Sequence, residues 1–242
     1  KVAEKILSNL SQSRLNNQEI NASVLFCDIV GFTKLSEDQP PDAVATLLNL
    51  YLGAIAEAAK LGTIKYLANI AGIQHIDSVD NFPMEKYDLM QRIMLRAPFL
   101  LSKLVIPHIQ KSSDGIGAIG NMASIHAHIC TINKPVYNIT KFGLRALTQS
   151  IAAEGEGRIR SFSVSTGFVK SALALKQIPS QAQQRGISPE EVVRDVMMGS
   201  SRVKEMMSPI EVGNLFVFGF SRHAKYLIGG DLLFDGGMVL TY

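Results

Sequence analysis

The fold of this chain is decided by residues 116–154, IGAIGNMASIHAHICTINKPVYNITKFGLRALTQSIAAE. Residues 116–124 are small or apolar apart from one asparagine and the final serine, which predicts a buried strand. Residues 136–154 repeat apolar side chains at helical spacing, which predicts a long helix. A strand followed by a helix is the unit from which parallel sheets are assembled.

The same alternation continues on both sides of this stretch. Strands are predicted at residues 23–30, 64–71, 116–124, 158–165 and 226–233. Helices are predicted at residues 42–61, 84–110, 136–154, 190–198 and 209–220. Strands that alternate with helices favour an α/β fold: a Rossmann-like parallel sheet with helices on both faces.

Composition restricts the class of protein. The 242 residues carry a formal net charge of +3 and only two cysteines. No block of lysine and arginine indicates a nucleic-acid or membrane partner, and no apolar run approaches the length of a membrane span. Two cysteines far apart in the sequence, Cys27 and Cys130, favour a reducing compartment. The chain is therefore expected to be cytoplasmic, with no nucleic-acid or membrane partner.

A tyrosine, a lysine and a serine form the candidate catalytic group. Tyr137 and Lys141 are four residues apart in the predicted helix, so they share one face. A lysine ammonium is a plausible means of lowering the tyrosine pKa from its usual value near 10. Ser124, at the end of a predicted strand, could hydrogen-bond a substrate oxygen. Taken alone, a tyrosine and a lysine one turn apart are more often a solvated helix surface.

Four motifs resemble the short-chain dehydrogenase/reductase family. They are LANIAG at 67–72, NMAS at 121–124, YNITK at 137–141 and DGG at 235–237, and the resemblance covers about residues 63–242. It implies that Tyr137 is the general base, that Lys141 lowers its pKa and holds the nicotinamide ribose, and that Ser124 orients the substrate oxygen. The cofactor implied is NAD, with NADP not excluded. Its implied contacts are Asn69, Ala71, Gly72, Tyr137, Lys141, Gly167 and Val169.

Within that family the D-3-hydroxybutyrate dehydrogenases are the most similar group. The resemblance is carried by AGIQH at 71–75, FPMEKYD at 82–88, ASIHA at 123–127, NKPVYNITK at 133–141 and KQI at 176–178. It implies that Gln74, His126, Lys134 and Gln177 bind the substrate carboxylate. A lysine would supply charge and the others hydrogen-bond donors. The alternatives are a structural histidine at 126 and surface glutamines.

The phosphate-binding turn of that family is missing. Dinucleotide binding uses a glycine-rich turn between the first strand and the first helix, and only Gly31, Gly53 and Gly62 precede the resemblance. The N-terminal dinucleotide-binding unit is therefore expected to be truncated or replaced. Gly115, Gly117 and Gly120 fit G-x-G-x-x-G. They follow a helix and enter a strand, which is the wrong context, so a tight turn with close packing is predicted instead.

Further positions differ from the family pattern. Met94 stands where the family has an asparagine that anchors a proton-relay water, and Thr166 stands where a proline precedes Gly167. Phe168 and Met238 stand where the hydroxybutyrate enzymes carry tryptophans. Apolar contact with a substrate is retained at these two positions, but the pocket shape is expected to differ.

Residues 1–62 resemble a different family. The run VLFCDIVGFTKLSE at 24–37 is similar to the start of class III nucleotide cyclase domains, in which the residue matching Asp28 binds the catalytic metal. No Gly-Asp pair follows to supply the second carboxylate that two-metal chemistry needs, so cyclase catalysis is not expected. The favoured interpretation is a sheet strand that ends at Asp28; a metal site, or an aspartate beside an adenine ring, stays open. The chain thus divides into an atypical segment, 1–62, and a dehydrogenase-like part, 63–242.

A zinc site is not predicted. His126, His128 and Cys130 alternate and would share one face of a strand, but no fourth ligand has suitable spacing.

The sequence therefore predicts an NAD-dependent oxidoreductase, with full or impaired activity, that interconverts a 3-hydroxy acid and its 3-keto acid. A homo-oligomer, a tetramer by the resemblance, is expected. The alternative is a catalytically silent composite or scaffold with an incomplete cyclase-like N-terminus.

Overall fold

Among the residues that the structure describes, five parallel strands form a central sheet. The computed structural model describes residues 23–27 and 62–240. The strands are β1 (Ser23–Cys27), β2 (Ile64–Asn69), β3 (Gly117–Met122), β4 (Ile159–Thr166) and β5 (Asp231–Phe234), and they lie in the order β1-β2-β3-β4-β5. All four pairings are parallel. The predicted parallel sheet is confirmed.

Helices connect the strands. They are α1 (Met84–Gln91), α2 (Ala97–Gln110), α3 (Pro135–Glu154), α4 (Ala172–Arg185), α5 (Pro189–Glu191) and α6 (Pro209–Phe220). Two π-helical segments, Arg92–Arg96 and Val192–Met197, join α1 to α2 and extend α5. Within the described ranges, no helix has the length and apolar character needed to cross a membrane.

One face of the sheet packs against α2 and α3. Leu67 and Ile119 are fully buried and are register partners in β2 and β3. They belong to one core cluster with Val105 and Ile109 of α2 and Ile151 of α3. Side chains alternate along a strand, so the next residue of each strand faces the opposite layer.

The opposite face packs against α6. Ala68 and Phe162 are fully buried there in a cluster with Phe216 and Phe220 of α6. The rings of Phe162 and Phe220 meet edge to face, with centroids 5.1 Å apart. The predicted arrangement of helices on both faces is therefore confirmed.

The G-x-G-x-x-G stretch is a turn that enters a strand, as predicted. Gly115 has a φ of 63°, in the left-handed region that favours glycine. A β carbon on Gly117 would lie 2.4 Å from the Lys65 carbonyl oxygen, and one on Gly120 would lie 2.8 Å from the Phe162 ring. These glycines therefore serve close packing.

Two elements differ from expectation. The last strand is confined to Asp231–Phe234, because residues 226–230 form a turn in which Gly229 has a φ of 73°. Helix α4 was not predicted from its polar sequence; it begins where the Ser171 hydroxyl accepts a hydrogen bond from the Ala174 amide and ends at Gly186, with a φ of 64°.

The N-terminal strand agrees with the favoured interpretation of that segment. Residues 23–27 pair in parallel with β2. Asp28, the glycines Gly31 and Gly53, and the predicted helix at 42–61 lie outside the described residues.

Two glycines of α6 provide a test of the packing. A β carbon on Gly219 would lie 2.3 Å from the buried Phe162 ring, whereas one on Gly213 would meet nothing within 4 Å. We expect Gly219→Ala to lower the free energy of unfolding by about 1–3 kcal/mol through overpacking. Gly213→Ala should raise it by up to about 1 kcal/mol through helix propensity. Urea unfolding measures both, and equal stability of the two variants would contradict the described packing.

Candidate active site

A cavity of about 510 Å³ opens where the strands end. The segments that follow β2, β3 and β4 contribute its walls, and α3, α4 and α6 complete them. Parallel strands bring their carboxyl ends to one edge of the sheet, where open α/β folds bind ligands. The polar side chains that line it include Gln74, Ser124, His126, Lys134, Tyr137 and Lys141.

Tyr137 and Lys141 project from the first turns of α3. The Lys141 ammonium nitrogen lies 5.4 Å from the centroid of the Tyr137 ring. It donates a hydrogen bond to the carbonyl oxygen of Met122, at the end of β3, over 2.7 Å. This bond fixes the end of a buried lysine against the strand that carries the rest of the site.

Ser124 joins the other two predicted catalytic residues. It lies two residues beyond β3 and lines the same cavity as Tyr137, whose pKa a hydrogen bond from Ser124 lowers. Its Oγ is also 3.1 Å from Nδ1 of His126. The structure thus brings Ser124, Tyr137 and Lys141 to one wall of the cavity.

His126 is held by hydrogen bonds on both ring nitrogens. Besides the bond to Ser124, its Nε2 lies 3.0 Å from Oγ1 of Thr131. Its ring meets the Tyr137 ring edge to face, with centroids 5.3 Å apart. A contact from His126 to a substrate carboxylate, as the resemblance implies, would require one of these bonds to open. Thr131 escaped the sequence analysis because nothing in the sequence pairs it with His126.

The tyrosine pKa differs from the sequence-based expectation. Burial raises the pKa of Tyr137, and the hydrogen bond from Ser124 offsets this only in part. The same burial lowers the pKa of Lys141 to about 8, so the ammonium is itself costly to keep charged. The tyrosine is therefore a neutral phenol at pH 7 in this cavity.

The remaining titratable groups make the cavity positive. Burial lowers the pKa of Lys134. Burial, followed by the charges of Lys134 and Lys141, lowers the pKa of His126 to about 4, so its ring is neutral at pH 7. Among the described residues that line the cavity, none is an aspartate or a glutamate. Two lysines thus face a space with no acidic side chain, which favours an anionic ligand.

The loop that carries His126 is fixed by residues that the sequence analysis did not assign to the site. His128 Nε2 lies 2.8 Å from a carboxylate oxygen of Asp231 in β5. The other oxygen of Asp231 accepts hydrogen bonds from Ser163 and Ser165 of β4. Arg145 of α3 donates to the Ala127 carbonyl oxygen over 3.2 Å.

The candidate metal ligands diverge. His126 lies in a 3₁₀ turn, Ile125–Ala127, rather than in a strand, and His128 is directed to Asp231. Cys130 is exposed. The three side chains therefore do not share one face of a strand. In the part of the chain described here, no three histidine, cysteine, aspartate or glutamate side chains lie close enough together to hold a metal ion.

Two buried asparagines join β2 to β3. Asn69 Nδ2 donates to Asn121 Oδ1 over 2.8 Å, and Asn121 Nδ2 donates to Thr148 Oγ1 of α3 over 2.9 Å. Asn69 Oδ1 is buried and has no hydrogen-bond partner among the described residues. Both asparagines lie near the carboxyl ends of neighbouring strands, at 64–71 and 116–124 in the sequence-based prediction, and this was the available signal for pairing them.

The structure also places the other predicted contacts. Ala71, Gly72, Gly167 and Val169 line the cavity, whereas Asn69 does not. The Gln177 side chain lies outside the described atoms, in α4.

The positions that depart from the family pattern surround the site. Thr166 and Phe168 line the cavity. The Met238 sulfur would lie 2.9 Å from a β carbon on Gly167. Met94 is buried in the π-helical segment Arg92–Arg96.

Comparison with known proteins identifies relatives that share this arrangement of elements. A family model described as Enoyl-(Acyl carrier protein) reductase matches residues 53–239. The D-beta-hydroxybutyrate dehydrogenase of Rhizobium meliloti (strain 1021) is 32% identical over 181 residues, which are 74% of this chain and 69% of that protein. The enzyme of the same name from Cupriavidus necator is 30% identical over 179 residues, with the same two shares, 74% and 69%.

Solved structures of other proteins superpose on this fold. Sorbitol-6-phosphate 2-dehydrogenase from Erwinia amylovora superposes with a TM-score of 0.72 at 26% identity, over 80% of this chain and 75% of that one. A gluconate 5-dehydrogenase from Burkholderia cenocepacia J2315, in complex with NADP and tartrate, superposes with a TM-score of 0.67 at 22% identity, over 76% and 68%. The chain belongs to the short-chain dehydrogenase/reductase family of NAD(P)-dependent oxidoreductases.

Proposed function

We propose that this protein interconverts a small 3-hydroxy acid, such as D-3-hydroxybutyrate, and its 3-keto acid, with NAD as the redox partner. The observation that carries the proposal is a single cavity in which a serine–tyrosine hydroxyl pair lies near two lysines, with no acidic side chain among its described lining residues. The relatives named D-beta-hydroxybutyrate dehydrogenase support the same substrate class.

The hydroxyl pair provides the acid–base chemistry. In oxidation, the Tyr137 phenol releases its own proton to solvent and its oxygen takes the proton of the substrate hydroxyl, while the Ser124 hydroxyl donates a hydrogen bond to the substrate oxygen. The Lys141 ammonium stabilises negative charge that develops on the phenolic oxygen. Bound nicotinamide would supply the acceptor for the hydrogen that leaves the carbinol carbon.

The described residues fit the nicotinamide end of such a cofactor. A β carbon on Gly72 would lie 4.0 Å from Lys141 Nζ, so the missing side chain keeps the space around the ammonium open. Of the three ammonium hydrogens, one is donated to Met122, which leaves two for the ribose hydroxyls. Asn69 Oδ1 is a buried acceptor still without a described partner at the end of β2.

Lys134 and Gln74 are the proposed carboxylate contacts. Both line the cavity together with the hydroxyl pair. Keeping Lys134 charged in a partly buried position is costly, as its lowered pKa shows. An anionic substrate offsets that cost, because a charge-assisted hydrogen bond is about twice as strong as a neutral one. Gln177 and His126 complete the proposed set, and His126 would reach the carboxylate by opening one of its two hydrogen bonds.

The proposal extends to a homo-oligomer, a tetramer by family resemblance. Large apolar side chains on the long helices α2 and α3 remain accessible: Phe99 is 54% exposed and Ile139 is 50% exposed. Contact between the long helices of neighbouring copies would cover them.

The central test is dinucleotide reduction by D-3-hydroxybutyrate. We expect NADH formation by the wild-type protein, with NAD⁺ preferred over NADP⁺. Tyr137→Phe should lower kcat by about 10²–10⁴-fold, because it removes the group that accepts the proton. Tyr226→Phe is the matched control, since Tyr226 is 84% exposed and does not line the cavity.

Absence of NADH formation, together with absence of dinucleotide binding by calorimetry, would refute the proposal. That result would favour the catalytically silent scaffold. Equal rates for wild type and Tyr137→Phe would instead show that another group accepts the proton.

The role of Lys134 predicts a charge-dependent defect. Lys134→Met should lower kcat/KM for D-3-hydroxybutyrate by about 10–100-fold, because it removes a charged hydrogen bond worth about 1.5–3 kcal/mol. The methyl ester of the substrate carries no negative charge and should be affected much less. Lys103→Met, at an exposed position of α2, is the control. Equal defects for acid and ester would rule out carboxylate recognition by Lys134.

The lowered pKa of His126 predicts acid sensitivity. The unfolded chain takes up a proton at this residue near pH 6.5, whereas the folded protein does so only near pH 4. The stability that the folded protein gains from a neutral His126 is therefore fully present above pH 6.5 and is lost as the pH falls towards 4. We expect the wild type to lose about 2 kcal/mol more than His126→Gln between pH 7 and pH 5. Urea titrations measure the difference, and exposed His108→Gln should behave as wild type. An unchanged pH dependence in His126→Gln would contradict a neutral His126.

A further inference from the structure

A histidine, an aspartate and an arginine form a second polar cluster outside the cavity. His128 Nε2 lies 2.8 Å from a carboxylate oxygen of Asp231, and His128 Nδ1 lies 3.3 Å from a guanidinium nitrogen of Arg145. The side chains of His128 and Asp231 are 18% and 8% exposed. None of these three residues lines the cavity, and the proposed reaction so far gives them no task.

The two partners of His128 determine where its ring hydrogen lies. An arginine side chain only donates hydrogen bonds, so Nδ1 accepts one from Arg145. An ionised carboxylate only accepts hydrogen bonds, so Nε2 carries the hydrogen and donates it to Asp231. The His128 ring is therefore neutral and joins a guanidinium group to a carboxylate group.

The sheet holds Asp231 in place. Asp231 of β5 is the register partner of Ser163 in β4. Its second carboxylate oxygen accepts hydrogen bonds from Ser163 and, over 2.9 Å, from Ser165, and both serines are fully buried. Because both oxygens of the carboxylate are engaged, the hydrogen bond to His128 starts from a fixed point of the sheet.

A short turn connects His128 to the catalytic serine. The Ala127 amide donates to the Ser124 carbonyl oxygen over 2.9 Å, and the His128 amide donates to the Ile125 carbonyl oxygen over 2.8 Å. The residues between them, Ile125–Ala127, form a 3₁₀ turn. Ser124 and His128 are therefore the two ends of one hydrogen-bonded turn, so a displacement of one end moves the other.

Helix α3 holds the same turn from the other side. Tyr137, Lys141 and Arg145 follow one another at intervals of four residues, so they share one face of the helix. Lys141 donates to the carbonyl oxygen of Met122 over 2.7 Å. Arg145 donates to the carbonyl oxygen of Ala127 over 3.2 Å. The segment between these two carbonyl groups contains the catalytic serine, and it is thus bound at both ends to the helix that carries the catalytic tyrosine.

We propose that His128, Asp231 and Arg145 are positioning residues for the proposed oxidation, and we call them the loop anchor. The loop anchor holds Ser124 at the distance from Tyr137 at which both hydroxyls reach the substrate oxygen. The inference rests on the proposed function, since it names residues that act through Ser124 in the same reaction. A misplacement of about 1 Å in such a group can lower the rate by about 10²-fold.

His128 provides a matched pair of variants. His128→Leu removes the hydrogen-bond donor to Asp231, whereas His128→Gln keeps an Nε2 donor. With saturating D-3-hydroxybutyrate and NAD⁺, we expect His128→Leu to lower kcat by about 10–100-fold through misplacement of the serine. His128→Gln should restore most of the loss. The dissociation constant of NAD⁺ should stay unchanged, because the hydrogen bond from Lys141 to Met122 is retained.

Ser161→Ala is the control for a purely structural loss. Ser161 is buried in β4 and donates to the Ile119 carbonyl oxygen over 3.1 Å, a bond that involves neither the loop nor Asp231. All rates are compared at a temperature at which circular dichroism shows each variant to be folded, and Ser161→Ala should keep the wild-type kcat. A wild-type kcat in His128→Leu overturns the loop anchor, and so does a His128→Gln variant as slow as His128→Leu.

A double-variant comparison tests whether the loop anchor acts through Ser124. If it does, removal of His128 costs little once the serine hydroxyl is already absent, so the two effects on kcat are not additive. We expect His128→Leu to lower kcat by about threefold or less in a Ser124→Ala background. The same factor in both backgrounds would show that His128 acts independently of Ser124, and would overturn the inference.

Nitrogen NMR of the wild-type protein tests the loop anchor even where a variant fails to fold. At pH 8 the His128 ring should be neutral, with its hydrogen on Nε2. A hydrogen on Nδ1, or a charged ring, overturns the loop anchor, since in neither state can Nδ1 accept a hydrogen bond from Arg145.

The outcomes also separate this inference from the proposed function. Wild-type turnover with an equal kcat in His128→Leu overturns the loop anchor alone. Absence of wild-type turnover overturns the proposed function, and the loop anchor with it, since no substrate oxygen would then need a positioned serine.

Discussion

The hydrogen bond from Lys141 Nζ to the Met122 carbonyl oxygen is the contact on which the site depends. It ties the first turns of α3 to the carboxyl end of β3, and so sets the position of Tyr137 relative to Ser124. The asparagine pair Asn69 and Asn121 acts in the same way between β2 and β3. Because the strands are parallel and in register, each of these contacts holds a strand end at the same edge of the sheet.

Burial then determines the chemistry of the assembled groups. It raises the pKa of Tyr137 and lowers the pKa values of Lys134 and Lys141, since a low-dielectric surrounding disfavours every charged form. Burial disfavours the charged forms of both lysines, and no acidic side chain is among the described residues that line the cavity. A bound anion would therefore stabilise the two charges. Substrate binding and charge compensation are therefore the same event in the proposed reaction.

Local sequence patterns were informative where one physical cause dominates. Hydrophobic periodicity predicted the sheet and the long helix of Tyr137, and the context of Gly115, Gly117 and Gly120 predicted a turn rather than a phosphate loop. Helix α4 escaped prediction because its sequence is polar and contains Pro179; its Ser171 cap and its packing partners define it instead. The strand expected at 226–233 shortened because the chain turns at Gly229.

The sequence by itself determined the fold class and which side chains share a helix face or a strand end, because these follow from spacings of a few residues. The family followed from the resemblance of four motifs to those of known dehydrogenases. The tertiary structure alone decided the direction of the Tyr137 pKa shift, since that depends on burial. It also decided that both nitrogens of His126 are engaged, one of them by Thr131. Such contacts join residues whose separation along the chain carries no periodic signal, so only the packed loop brings them within hydrogen-bonding distance.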